Sequence, residues 1–462
     1  MTTRLFTILA FVALSLNPPL SAQHQHLLPG YWSGKLSIGS TELRLVFHIT
    51  KDSIGVFRAT MDSPDQGAKG IGIDTAIVEG DTVRLMLTRL RASFEGGFVP
   101  SDTTLTGMWK QSGMSFPLTL SRSATEIVLR RPQEPTKPYP YHEEEVTYTN
   151  SLANITLAGT LTTPRDARPV SAVVLVSGSG PQDRDEALFG HRPFLVIADY
   201  LTRQGIAVLR FDDRGVGKST GSHATATTLD FVTDALAGVE LLKSRKEVDA
   251  KRIGIVGHSE GGLIAPLAAV RSRDISFIVL LAGPGLPGEE ILYRQGALLA
   301  KAADASDSAV AQNLELQRKL FTAVKQEHDS SALHNALVHI LKNEPNKLSE
   351  SAIQAQVKSM VSRWFRFFLT HDPRPVLERV KCPVLALIGE KDLQVPSKEN
   401  LKEIEAALRR GGNKSVVTKE LPGLNHLFQT AKTGSIAEYA QIEETFSPAA
   451  LKEVAEWIMK QR

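Results

Sequence analysis

The chain has 462 residues, enough for more than one average domain and for a large buried core. Its 42% hydrophobic content is that of a soluble globular protein, and 53 basic against 50 acidic residues leave a formal net charge of +3 with no concentrated basic block. That balance gives nucleic-acid binding no electrostatic footprint.

In chain order, Met1-Thr2-Thr3-Arg4 is a basic start, Leu5 to Leu16 is apolar, and Ser21-Ala22 is a small-residue exit. The pattern predicts a signal peptide over 1–22 and export to the periplasm or the medium. The apolar run is shorter than the roughly 20 residues of a membrane span, so no stable membrane anchor is expected. His24 and His26 sit on a short tail and are not read as metal ligands. The single cysteine, Cys382, rules out an intramolecular disulfide and, in its apolar setting, reads as a packed thiol.

A β-rich N-terminal domain is expected over 23–130. Short alternating runs such as Leu43-Arg44-Leu45-Val46-Phe47, Val83-Arg84-Leu85-Met86-Leu87 and Phe116-Pro117-Leu118-Thr119-Leu120 are separated by turn signals, which predicts antiparallel strands, closed or sandwiched. Trp32 and Trp109 are expected in its core, and no chemistry is read there. Residues 131–142 are proline-rich and read as a semi-rigid linker.

A catalytic domain is expected over 143–462. After a hairpin between Glu144 and Pro164, strands alternate with helices: 172–176, 194–204, 207–211, 229–243, 253–256, 277–281, 384–388, 415–421 and 449–460. This order builds an α/β fold, a mostly parallel sheet with helices on both faces. Between 283 and 375 only helical patterns occur, which predicts a lid above the carboxyl ends of the strands, where open α/β sheets bind ligands. In that lid Arg363-Trp364-Phe365-Arg366-Phe367-Phe368 is the densest aromatic segment. Packing of the lid against the main domain is expected over lining an acyl pocket.

The strand at 253–256 runs into Gly257-His258-Ser259-Glu260-Gly261 and then an apolar helix. A serine on such a tight strand-to-helix turn is lifted above the sheet edge, and only small residues fit two positions either side. Its hydroxyl needs a base, and the base needs an acid to fix its tautomer. Asp392 lies just past the strand at 384–388, and His426 just past the next strand. The order Ser259, Asp392, His426, each after a strand, is the triad order of this architecture. Glu390 and Asp372 are rival acids, and His191 and His258 rival bases, with His258 expected to point away from the serine. For the oxyanion hole the expected donors are the N–H groups of Glu260 and of Ser179 in Ser177-Gly178-Ser179-Gly180, with Gly178 the rival to Ser179.

Two phosphate-like motifs are refused. Asp212 to Ser219 ends like a P-loop but begins with two carboxylates, and Gly178-Ser179-Gly180 has Asp183 where a dinucleotide fingerprint needs its third glycine. No cofactor and no metal are expected.

These residues resemble the α/β-hydrolase superfamily and, within it, secreted bacterial two-domain esterases of the EstD type, beside serine aminopeptidase-like hydrolases. The stretches carrying the resemblance are Ser177 to Asp185, Arg210 to Ser219, Gly257 to Gly262, Gly389 to Asp392 and Asn425-His426. It spans Glu144 to the end and, more loosely, the β domain at Asp62 to Gly67. It implies a cofactor-free carboxylesterase acting on small, short-acyl esters, with Asp213 and Arg214 holding neighbouring loops by ion pairing. Ser177 departs from relatives with histidine before the oxyanion glycine, which leaves the support of that loop open. An aminopeptidase or amidase is the alternative and would need a carboxylate for the substrate's amine, for which Glu289 and Glu290 are the candidates. A non-catalytic binding protein on a hydrolase fold is the other.

Overall fold

Period-two burial along the early strands gives them one dry face, and nine of them satisfy it together in one antiparallel sheet. The computed structural model describes residues 25–38, 41–64, 68–101, 103–111, 113–123, 130–165, 168–344 and 348–461. The expected signal peptide over 1–22 and His24 lie outside them. The chain divides into two compact units near residue 128.

In the first unit the strands are β1 (Gly30–Ile38), β2 (Thr41–Lys51), β3 (Phe57–Ser63), β4 (Ala68–Gly72), β5 (Thr75–Glu79), β6 (Thr82–Leu87), β7 (Ala92–Val99), β8 (Thr104–Gln111) and β9 (Met114–Ser123). Their order is β4-β3-β2-β1-β9-β8-β7-β6-β5. Phe47 on β2 and Phe94 on β7 stand four strands apart in that order, roughly 19 Å in a flat sheet. Their rings are 6.1 Å apart, so the sheet curls over its own core instead of facing a second sheet. Trp32 and Trp109 lie in that core, and their indole N–H groups donate to the Leu28 carbonyl and the Gln111 amide oxygen.

The proline-rich stretch forms neither helix nor strand, yet it is fastened to the second unit. Arg131 donates to the carbonyls of Phe189, Gly190, Ala440 and Ile442, and the Gln133 side chain accepts from the N–H groups of Thr445 and Phe446.

The second unit begins with the hairpin β10 (His142–Asn150) and β11 (Ile155–Thr163), then β12 (Val170–Val176), α1 (Pro193–Arg203), β13 (Ala207–Phe211), α2 (Thr228–Lys243), β14 (Val248–His258), α3 (Gly261–Ala269) and β15 (Ile275–Leu281). The lid follows as α4 (Gly288–Ala302), α5 (Asp307–Gln326), α6 (Ser330–Lys342), α7 (Glu350–Met360), α8 (Arg363–Thr370) and the short α9 (Arg374–Leu377). β16 (Val384–Gly389), α10 (Ser397–Arg410), β17 (Val416–Leu421), α11 (Ile436–Tyr439) and α12 (Pro448–Lys460) complete it.

The sheet order is β10-β11-β13-β12-β14-β15-β16-β17, parallel from β13 onward. The chain leaves β12 for β13 on one side and comes back to β14 on the other. That reversal opens a crevice beyond the carboxyl ends of β12 and β14, the place where such sheets hold ligands. Two apolar clusters, one per face, bury the sheet. The lid has a third, built from Leu320, Phe321, Val324, Leu337, Val357, Phe365 and Leu369. α4 approaches α8 so closely that a Cβ at Gly288 would lie 1.8 Å from the Phe368 carbonyl oxygen. No helix among the described residues is long and apolar enough to cross a membrane.

Candidate active site

The turn between β14 and α3 has no room for side chains beside the serine. A Cβ at Gly257 would lie 2.0 Å from the Gly261 carbonyl oxygen, and one at Gly261 would lie 2.2 Å from that of Val176. Ser259 itself has φ +52°, the left-handed region that costs a non-glycine residue energy and that clusters at functional sites. The surroundings hold it there: the Ser259 N–H donates to the Leu281 carbonyl, and its own carbonyl accepts from Gly262 N–H. The amino terminus of α3 lies under the serine and favours negative charge.

Asp392 and His426 come together from loops 34 residues apart, with His426 Nδ1 2.8 Å from Asp392 Oδ2. Both side chains are buried. Asp392 Oδ1 accepts from the N–H groups of Gln394 and Val395, each at 2.8 Å, which fixes the carboxylate. The His426 loop is shaped from beneath by Asn425, fully buried, whose side-chain oxygen accepts from Leu427 and Gln429 N–H. The rivals are engaged elsewhere: Glu390 accepts from Gly423 N–H, and Asp372 is paired with Arg374. His191 is enclosed by Thr445, Gln429 and the Tyr439 carbonyl, and burial pushes its pKa down to about 4.

In the loop after β12, Gly178 N–H donates to Glu186 Oε1 at 2.7 Å, so of the two candidate donors the geometry leaves Ser179. The open question of that loop's support has its answer in Asp213. It accepts from the Ser177 hydroxyl and from Gln182 N–H, each at 2.9 Å, and burial pushes it up to about 8. This corrects the expected ion pairing of Asp213: its partners are neutral. Arg214 does pair, with Asp234, while Asp212 pairs with Arg184. The P-loop look-alike wraps the Asp212 carboxylate, which accepts from Lys218 N–H.

Ser179, Ser259, Glu260 and His426 line one cavity of about 300 Å³. Its apolar wall includes Phe189, Ile291, Leu292, Trp364, Phe368 and Leu427, and its polar wall is mostly neutral, with Gln182, Gln295, Gln394 and Tyr439. Gln295 donates to Gln394, and Gln394 to the Tyr439 hydroxyl. The aromatic segment of α8 divides by helical spacing. Phe365 and Leu369 enter the lid core, whereas Trp364 and Phe368, stacked at 5.4 Å, reach the cavity.

Trp364 also donates its indole N–H to Glu260 Oε1 at 2.8 Å. Burial pushes the Glu260 carboxyl up, against hydrogen bonds from Thr228, Trp364 and Ser179. Sequence reasoning missed this side chain, having used only the backbone of Glu260. It missed Glu186 as well, which bonds His258. That histidine, expected to point away, sits behind the serine with its ring 5.0 Å from that of His426. The carboxylates considered for a substrate amine are not at the cavity: Glu289 is paired with Lys325 and bonded to Tyr293, and Glu290 is exposed. Cys382 is packed against the core, its thiol pushed up to about 11 by burial. Among the described residues no cluster of three or more His, Cys, Asp or Glu could hold a metal ion.

The profile of a family described as serine aminopeptidase, S33 matches residues 192–430, the stretch holding Ser259, Asp392 and His426. The chain belongs to this family. As an S33 α/β-hydrolase it is 27% identical to the esterase EstD of Thermotoga maritima over 79% of this chain and 78% of that protein. It is 24% identical to an uncharacterised 31.7 kDa protein of Escherichia coli over 48% of this chain and 73% of that one. Among solved structures, the Pyrococcus furiosus esterase Pf2001 aligns with TM-score 0.45 and 19% identity, covering 73% of this chain and 99% of that one.

Proposed function

We propose that this S33 hydrolase is a carboxylesterase for small, short-acyl esters, working through an acyl-enzyme on Ser259. The carrying observation is the 2.8 Å contact between His426 and Asp392 at the wall of a cavity that also holds the elbow serine. Asp392, acceptor-only, keeps the hydrogen of His426 on Nδ1 and leaves Nε2 as the base. Ser259 Oγ attacks the ester carbonyl as His426 takes its proton. The N–H groups of Ser179 and Glu260 meet the oxyanion, with the α3 amino terminus behind them. Collapse expels the alcohol, protonated by His426, and water then releases the acid by the reverse proton route.

The cavity supports the choice of ester. At about 300 Å³ it is at the small end of ligand pockets. Its two carboxylates, Glu186 and Glu260, already hold internal donors, so an ammonium group would meet no free anion there. The likeness to EstD points the same way. The test is hydrolysis of p-nitrophenyl acetate, butyrate and a longer ester beside aminoacyl-p-nitroanilides, using wild type and Ser259→Ala. Cleavage of short esters by wild type alone is expected. Cleavage of the anilides would move the assignment to peptidase, and turnover of neither would favour a binding protein. We also propose export, tested by amino-terminal sequencing of the mature protein, expected to begin at Gln23.

A further inference from the structure

A second carboxylate–imidazole pair lies behind the first. Glu186, in the loop between β12 and α1, is 2% exposed. Its Oε1 takes two contacts, from Gly178 N–H at 2.7 Å and from His258 Nδ1 at 2.9 Å. On the far side of the ring, His258 Nε2 is 3.0 Å from the carbonyl oxygen of His426. A carboxylate and a carbonyl only accept, so the ring satisfies both with a hydrogen on each nitrogen, as an imidazolium balanced by Glu186. Burial opposes a charged ring here, but the Glu186 carboxylate, the His426 carbonyl and Asp392 together outweigh it, and His258 is held above its ordinary value.

Three pieces of the site are therefore tied together, two directly on one oxygen and the third through the His258 ring. Gly178 carries the oxyanion loop, His258 belongs to the elbow strand β14, and the His426 carbonyl belongs to the loop of the base. The approach is close enough that a Cβ at Gly178 would come within 3.2 Å of Ser259 Cβ and 3.3 Å of Glu186 Oε1. The groups facing His258 are Glu186, His426, Asp392 and the ring of Phe428.

We propose that Glu186 is a positioning residue, which through Gly178 and His258 fixes the oxyanion loop and the His426 loop against the serine elbow. The inference rests on the triad reading above. Oxyanion donors work only within a few tenths of an ångström of their place, and a misplacement of about 1 Å costs about 10²-fold. Replacing Glu186 by glutamine removes the counter-ion, so His258 gives up a proton and with it one of its two contacts.

The test measures kcat and KM for p-nitrophenyl butyrate, and Ki for a trifluoromethyl ketone whose adduct oxyanion needs the same donors. Wild type, Ser259→Ala, Glu186→Gln, His258→Asn and His258→Gln are compared. Glu186→Gln is expected to lose about 10–100-fold in kcat with KM within about twofold, and to weaken the ketone in step. His258→Asn keeps a donor near the Nδ1 position, facing Glu186. His258→Gln keeps one near Nε2, facing the His426 carbonyl. The first should retain more of the ketone affinity, and the second should lose it with kcat. A kcat for Glu186→Gln within about threefold of wild type would overturn the inference, as would ketone affinity unmoved in both Glu186→Gln and His258→Gln. If Glu186→Gln does not fold, the two His258 variants decide alone, and equal ketone affinity in both overturns it. Persistent turnover by Ser259→Ala would instead remove the triad reading.

Discussion

The two units differ in what they bury. In the curled sheet of the first, Ser63 is the only polar residue that is buried among the described residues, and its core is Trp32, Phe47, Phe94, Trp109 and their aliphatic neighbours. The second buries Glu186, Asp213, Asp234, His258, Glu260, Asp392 and His426. Burying a charged group costs several kcal/mol unless it is paired or hydrogen-bonded, so a fold accumulates such groups where they do something else. In the second unit they surround the elbow and the loops after β12, β16 and β17. The first unit buries an almost wholly apolar core, whereas the second accepts a left-handed backbone at Ser259 and buried charge around it.

The sharpest break of that contrast is Asp392→Asn. An amide presents the wrong tautomer partner to His426, and kcat is expected to fall by about 10³–10⁴-fold with KM little changed, read from steady-state ester hydrolysis. A smaller effect is expected from Trp364→Phe. It keeps the ring against Phe368 but withdraws a donor from the buried Glu260, so stability should fall by about 1–3 kcal/mol and ester kcat/KM several-fold. Denaturant melts beside the acyl-chain profile measure both.

His191 gives a pH test. Its folded pKa, about 4, lies below the unfolded 6.5, so at acid pH the unfolded chain takes a proton that the folded one refuses. Its contribution is therefore full above about 6.5 and is lost as pH falls toward 4, worth about 3 kcal/mol across the window. Urea denaturation of wild type and His191→Gln at pH 4.5, 5.5 and 7 should show a shallower slope in the variant. Least visible in turnover is Phe94→Ala. It should destabilise the first unit by about 3–5 kcal/mol, seen by calorimetry, with kcat/KM at 25 °C within about twofold of wild type. A large loss of activity there would erase the contrast between the units.

Much of the site was legible because its grammar is local. The glycines around Ser259 are two residues away on either side, Asp392 follows the apolar run of the buried strand β16, and His426 follows the next strand, the half-exposed edge strand β17. Asp213, Glu186, Trp364 and Arg131 carry no local signal of the contacts they make, for a shared reason. Their partners are far along the chain: Glu186 meets His258 72 residues on, Trp364 meets Glu260 across 104, and Arg131 meets Ile442 across 311. A carboxylate in a loop has the same appearance in sequence whether it is solvated or buried against a histidine.

Periodicity, glycine spacing and chain order are properties of neighbours, so the alternation that builds the α/β sheet, the strand ends that carry the three polar residues, and the elbow are written in the chain. Only the packed fold decides that Gly178 N–H is taken up by Glu186, that Trp364 and Phe368 are the aromatics of α8 that reach the cavity, and that the loop after β12, the elbow and the His426 loop are linked through Glu186 and His258. Those are questions of distance between segments, and distance is fixed only when the sheet order and the lid have been packed.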